Sequence, residues 1–129
     1  MNINFSEIIE FLKEQDIKYK YIEDDNVLYL PYIINNIRTD VIITVSNKVV
    51  MLIVNIDSLK DENWCNDFNL THIIPRASIN KSNQLILDCI YDLNIFPIKY
   101  IKEWFKISLA VCLSTVKNDF TQDKKNCPS

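Results

Sequence analysis

His72 is the single histidine of the chain and the one side chain ordinarily able to act as a base near neutral pH. A serine or cysteine nucleophile would depend on it. It stands between polar Asn69-Leu70-Thr71 and apolar Ile73-Ile74, and no nucleophile-elbow motif accompanies it. A lone histidine in such a setting reads as structural. Cys65, Cys89, Cys112 and Cys127 are widely spaced and form no CxxC pair. Cys65 and His72 are separated by a spacing that fits no common zinc finger. Cys89 and Cys112 lie in apolar stretches and read as small core residues.

The carboxylates gather at Glu23-Asp24-Asp25 and at Asp57, Asp61 and Glu62. Paired carboxylates can hold a hard cation or run acid–base chemistry. Neither knot has the alternate-residue oxygen spacing of a calcium loop, and both fall at turns, where Asp bonds its own backbone. Lys99, Lys102 and Lys106 form a basic stripe near Tyr100 and Trp104, the ingredients of a single-strand nucleic-acid site. Glu103 interrupts the stripe and the net charge is −3, so a solvated helix face is the better account. Glycine is absent, which removes every phosphate-binding glycine loop. The expectation is therefore a protein that is not an enzyme, with no cofactor, no metal, no nucleic-acid partner and no membrane span. Met1 leads into a mixed polar segment with no apolar run, so a cytoplasmic location with reduced cysteines is expected.

The elements that must position these residues read as α+β. The chain has 129 residues, 48% of them hydrophobic and 24% charged, enough for one buried core without disulfides. Phe5, Ile8, Ile9 and Leu12 recur at helical spacing over residues 5–15, with Asn4 and Glu7 as a capping box. An antiparallel meander of about four strands follows. Tyr19 and Tyr21 alternate with Lys18 and Lys20 as an edge strand. Val27–Ile34 is the second strand, with Pro31 marking an edge or bulge. Asn35-Asn36 is a glycine-free hairpin turn, and Ser46-Asn47 turns again. Without glycine, positions with φ > 0 must fall to Asn or Asp. Val49–Ile56 is almost wholly apolar and suits a strand buried on both faces.

Residues 57–72 read as a long polar crossover with at most one helical turn, either functional or anchored to the surface by Trp64 and Phe68. Residues 82–93 read as a helix with Leu85, Ile86, Cys89, Ile90 and Leu93 on one face, capped by Ser82 or Asn83. Residues 97–116 fit either a helix begun by Pro97 or a hairpin in which Phe105, Ile107, Leu109, Val111 and Leu113 alternate. The absence of a turn residue near Lys102-Glu103 favours the helix. Residues 1–117 are thus expected to form a single α+β domain and 118–129 a polar, frayed tail.

The segments "EQDIKYKYIEDDNVLYLPYI" and "RTDVIITVSNKVVMLIVNI" resemble the N-terminal half of the YbjN-like family, which is itself similar in architecture to class I type III secretion chaperones. "NQLILDCIYDLN" resembles that family's second helix, extending the resemblance over residues 5–94. The family pattern is a helix, an antiparallel meander and a second helix, with a hairpin after Asn94 and then a third helix. It carries no catalytic residues. What it implies is a cytoplasmic chaperone, adaptor or regulator that acts on a protein partner.

A protein-binding module is therefore the expected function. Its contact surface would be an aromatic sheet edge of Tyr19, Tyr21, Tyr29 and Tyr32, unless those rings lie under the helices as core. A homodimer is one form it could take. The alternative is a small acidic inhibitor, such as an immunity protein or a phage-encoded blocker. Glu23-Asp24-Asp25 and Asp57, Asp61 and Glu62 would supply its face if they lay side by side.

Overall fold

A computed structural model describes residues 5–58 and 60–120 of the protein. Asn4, Cys127 and the expected tail beyond residue 120 lie outside the described residues. The chain is α+β: α1 (Ser6–Glu14), a meander of β1 (Lys20–Ile22), β2 (Val27–Ile34), β3 (Ile37–Ser46) and β4 (Val49–Ile56), then α2 (Glu62–Thr71), β5 (Arg76–Ile79), β6 (Leu85–Asp92) and α3 (Ile101–Asp119). The strands form one antiparallel sheet of six in the order β1-β2-β3-β4-β6-β5, two more strands than the meander expected from sequence.

Alternation decides which side of the sheet is covered. Leu28 and Leu30 of β2, Val41 and Ile43 of β3, Leu52 and Val54 of β4, and Leu87 and Cys89 of β6 point one way and are buried. They form one cluster with Ile8 and Leu12 of α1, Cys65 and Phe68 of α2, and Phe105, Leu109, Cys112 and Val116 of α3. All three helices therefore lie on the same side of the sheet. Successive side chains of a strand point to opposite faces, so the other half of each strand points away from every helix.

The glycine-free turns follow the expectation except at Lys48, which is neither Asn nor Asp and has φ of 64°. Asn35 and Asn36 have φ of 54° and 63°, the left-handed pair of a type I′ hairpin. The next hairpin uses Asn47 and Lys48, one residue later than the sequence suggests. Asn35 also reaches across the fold. Its Nδ2 donates to the carbonyls of Lys117 and Phe120, each at 2.9 Å, and so satisfies the C-terminal end of α3. Asn35→Gly keeps the turn geometry and removes both bonds. It is expected to cost about 1–2 kcal/mol in urea denaturation, while Asn47→Gly, which removes no such bonds, leaves the midpoint nearly unchanged.

Three expectations are corrected. Residues 82–93 are not a helix: β6 runs between β4 and β5, and its residues 85–89 are all buried. Gln84, Asp88 and Asp92 recur at helical spacing opposite the apolar stripe and so mimic the polar face of a helix, and length alone does not separate the two readings. Residues 57–72 are not an irregular crossover. The Asp61 carboxylate accepts from the Trp64 amide at 3.0 Å and caps α2, which buries Cys65 and Phe68. The fold does not fray at 118: α3 continues through Asp119, and Phe120 is buried against Trp64, ring centroids 4.9 Å apart. The helix favoured for residues 97–116 is present as α3, after a short 3-10 turn at Ile98–Tyr100.

Candidate functional site

The side of the sheet away from the helices is a broad apolar face. One row across it runs Tyr29, Ile42, Ile53, Asp88 and Arg76, from β2 to β5. The next row holds Thr44, Met51 and Ile90. The row on the other side holds Pro31, Asp40, Asn55, Ile86 and Ser78. Ile42, Met51 and Ile53 are half-buried, each flanked by a neighbouring strand on both sides. Ile90 is 51% exposed and Ile33, further out on β2, is 78% exposed.

Polar groups on this face are tied down. The Tyr29 hydroxyl donates to Asp40 Oδ1 at 2.7 Å, and Arg38 Nε donates to Asp40 Oδ2 at 3.0 Å. Arg76 donates to Asp88 Oδ2 at 3.1 Å, shielding a carboxylate that is buried in the sheet. Asn55 donates to Gln84 at 3.0 Å beside a polar hollow of about 360 Å³ at one end of the face. The face is thus apolar in the middle, with Asp40 and Asp88 paired to Arg38 and Arg76 and Asp92 bonded to Asn94 at its end.

The outer edge strand is closed by a side chain. Asn69 of α2 accepts from the Ala77 amide and donates to the Ala77 carbonyl, each at 2.8 Å. This occupies main-chain groups of β5 that would otherwise invite another strand.

The four tyrosines do not form one surface. Tyr21 pairs with Leu28 on the helix side, meets Phe5 edge-on at 6.3 Å and donates to Asn26 at 2.8 Å. Tyr19 and Tyr32 pack against the core cluster, and burial raises the Tyr32 phenol above its usual pKa. Tyr29 alone faces the open side. The alternative reading of these rings, as core under the helices, holds for Tyr19 and Tyr32, whereas Tyr21 points to the helix side and stays 36% exposed.

The other candidate groups are also dispersed. The His72 ring stacks on Phe68 at 3.9 Å, and its Nδ1 lies 3.0 Å from the Phe68 carbonyl and 2.9 Å from the Thr71 hydroxyl. It finishes α2 and borders a groove of about 400 Å³ against Val111 and Ser114 of α3. Among the described residues no three His, Cys, Asp or Glu gather as metal ligands. Lys99 lies over Tyr100 and Lys106 over Phe11, each covering a ring of its own chain.

The acidic knots lie at opposite ends of the sheet. Glu23-Asp24-Asp25 precedes Val27, next to the Leu28–Ile43–Leu52 row, whereas Asp57 follows Ile56, four residues beyond Leu52. Five residues of strand separate them, about 17 Å. The sulfur atoms of Cys89 and Cys112 are 3.8 Å apart between β6 and α3. The hydrogen bond to Cys89, together with burial, holds the Cys112 thiol well above its usual pKa. Burial also raises Cys65, with Asp61 and Glu62 adding to the shift.

The open face was readable in part. Val49, Met51 and Ile53 are apolar on the side of β4 that no helix covers, which the sequence reading took for burial on both faces. No protein-family model matches the chain, and no curated protein matches it. Among the described residues no helix is long and apolar enough to cross a membrane.

Proposed function

We propose that this is a non-enzymatic protein-binding module that takes its partner on the open face of the sheet. The observation that carries the reading is the apolar surface centred on Ile42, Met51 and Ile53, on the side of the sheet that none of the described helices covers. Contiguous apolar patches beyond a few hundred Å² are rare on soluble monomers and mark interaction sites. The core of such a site is apolar and the rim polar, which is the arrangement of these isoleucines inside the Arg38–Asp40 and Arg76–Asp88 pairs.

The YbjN-like reading rests on the opening helix and meander alone, because the segment "NQLILDCIYDLN", which resembles that family's second helix, holds strand β6. Helix, meander, helix, hairpin and helix follow one another along the chain. The second helix is α2 rather than residues 83–94, and the hairpin is β5–β6. The acidic-inhibitor reading loses its single compact face, because its two knots are apart.

The test is photo-crosslinking in cells. A photoreactive phenylalanine placed at Thr44, on the open face, is expected to form adducts with one defined polypeptide. The same group at Glu10, on the exposed side of α1, is expected to form none. Equal labelling from both positions, or none from Thr44, removes the reading.

A further inference from the structure

We infer that the occupant of the open face is a second copy of this chain, packed sheet against sheet about a two-fold axis. The inference rests on the docking reading above and names its partner. Size is the first argument. The central strands β2, β4 and β6 each have eight residues. With a rise of about 3.4 Å per residue and strands about 4.8 Å apart, the sheet presents on the order of 650 Å² per copy in projection. Two copies then bury roughly 1,300 Å² or more, within the range of stable, specific interfaces.

Charge is the second argument. Arg38 pairs with Asp40 and Arg76 with Asp88 inside each chain. A strongly basic or acidic partner would have to break these pairs to gain a charged contact, which is costly for a carboxylate as buried as Asp88. A second copy brings a face equally apolar and equally neutral. The chain's net charge of −3 sits largely elsewhere, including the knots at the two ends of the sheet, where salt screens it.

Shape is the third argument. Two identical sheets share the same twist and pack face to face at about −30°, with side chains interdigitating. A two-fold contact is isologous, so one self-complementary patch suffices. Ile42 and Ile53 lie opposite each other on the two middle strands, β3 and β4. They would therefore sit at the axis, where the interface is best desolvated.

The experiment is sedimentation velocity of the full chain from about 1 to 200 μM, with circular dichroism to confirm folding. Wild type is expected to sediment as a dimer in the micromolar range. Ile53→Glu and, separately, Thr44→Arg place a charge at the middle of the face and are expected to weaken the dimer at least about 100-fold. Thr44 is a half-exposed polar residue, so its replacement keeps the test open if Ile53→Glu does not fold. Ile73→Glu changes a residue that is 98% exposed in the loop before β5 and is expected to leave the dimer intact. A dimer that survives both face variants overturns the inference, as does a wild-type monomer at every concentration. The Thr44 crosslink separates the two readings. Adducts to another polypeptide with a monomeric protein leave the docking face standing without the second copy, whereas a monomer with no adducts removes both.

Discussion

Phe120→Ala is expected to destabilise the protein by about 3–5 kcal/mol, the cost of emptying a fully buried aromatic site. Phe120 is 1% exposed although it follows a polar stretch, Lys117-Asn118-Asp119. Its ring sits against Trp64, which in turn stacks on Phe68 with centroids 5.0 Å apart. Phe68 stacks on His72, so one aromatic column runs from the end of α3 along α2. Lys60 lies over both the Trp64 and Phe120 rings. The Phe120 carbonyl accepts from Asn35, which also ties the column to the β2–β3 turn. Truncating the ring opens a cavity at a place where α2, the end of α3 and the β2–β3 hairpin meet. Lys60→Ala removes only an exposed cation and should cost under about 1 kcal/mol. The measurement is guanidinium denaturation followed by tryptophan fluorescence. A Phe120→Ala loss below about 1 kcal/mol would mean that the C-terminal residues do not close the core.

The parts of this fold that were legible share a physical reason. Val27–Ile34 and Val49–Ile56 are rich in apolar, aromatic and β-branched residues, and the hairpins beside them turn on Asn35-Asn36 and Asn47-Lys48. Local preference and tertiary packing agree in these strands. In α2 they disagree. Asn63, Asn66, Asp67 and Asn69 give that helix a polar surface that resembles a loop, and only Trp64, Cys65 and Phe68 anchor it. The signal that could have found it is Asp61 placed three residues before Trp64, a cap followed by apolar residues at helical spacing. The tyrosines failed as a surface for a different reason. Alternation with lysine places Tyr19 and Tyr21 on one face of β1 but does not say which face the helices cover. The open face was hidden by the same limit. An apolar residue on the uncovered side of β4, such as Met51 or Ile53, carries the same sequence signature as a core residue.

The sharpest test of the sheet lies in β6, because the two readings of that segment bury different residues. On a helix over residues 82–93, the face formed by Leu85, Ile86, Cys89, Ile90 and Leu93 would be core, and Leu87 would point elsewhere. In the sheet the pattern inverts at two positions. Leu87 is 0% exposed and pairs with Val54 and Ala77, while Ile90 lies on the open face beside Met51. Leu87→Ala is therefore expected to cost about 2–5 kcal/mol, because the site lies between β4, β5 and the helix layer and collapses poorly. Ile90→Ala, measured in dilute protein so that association does not contribute, should cost under about 1 kcal/mol. A helix would give the opposite order. Amide exchange supplies a second readout, since the β6 backbone is bonded on both sides, to β4 and β5, over residues 85–88. Those amides should exchange only through global unfolding, at the rate of the slowest core groups. The same pair of substitutions bears on the open face. At high protein concentration Ile90→Ala should gain a penalty that it lacks when dilute, whereas the cost of Leu87→Ala should not depend on whether the face is covered. A single residue would then report both that β6 is a strand and that its outward side is where the partner sits.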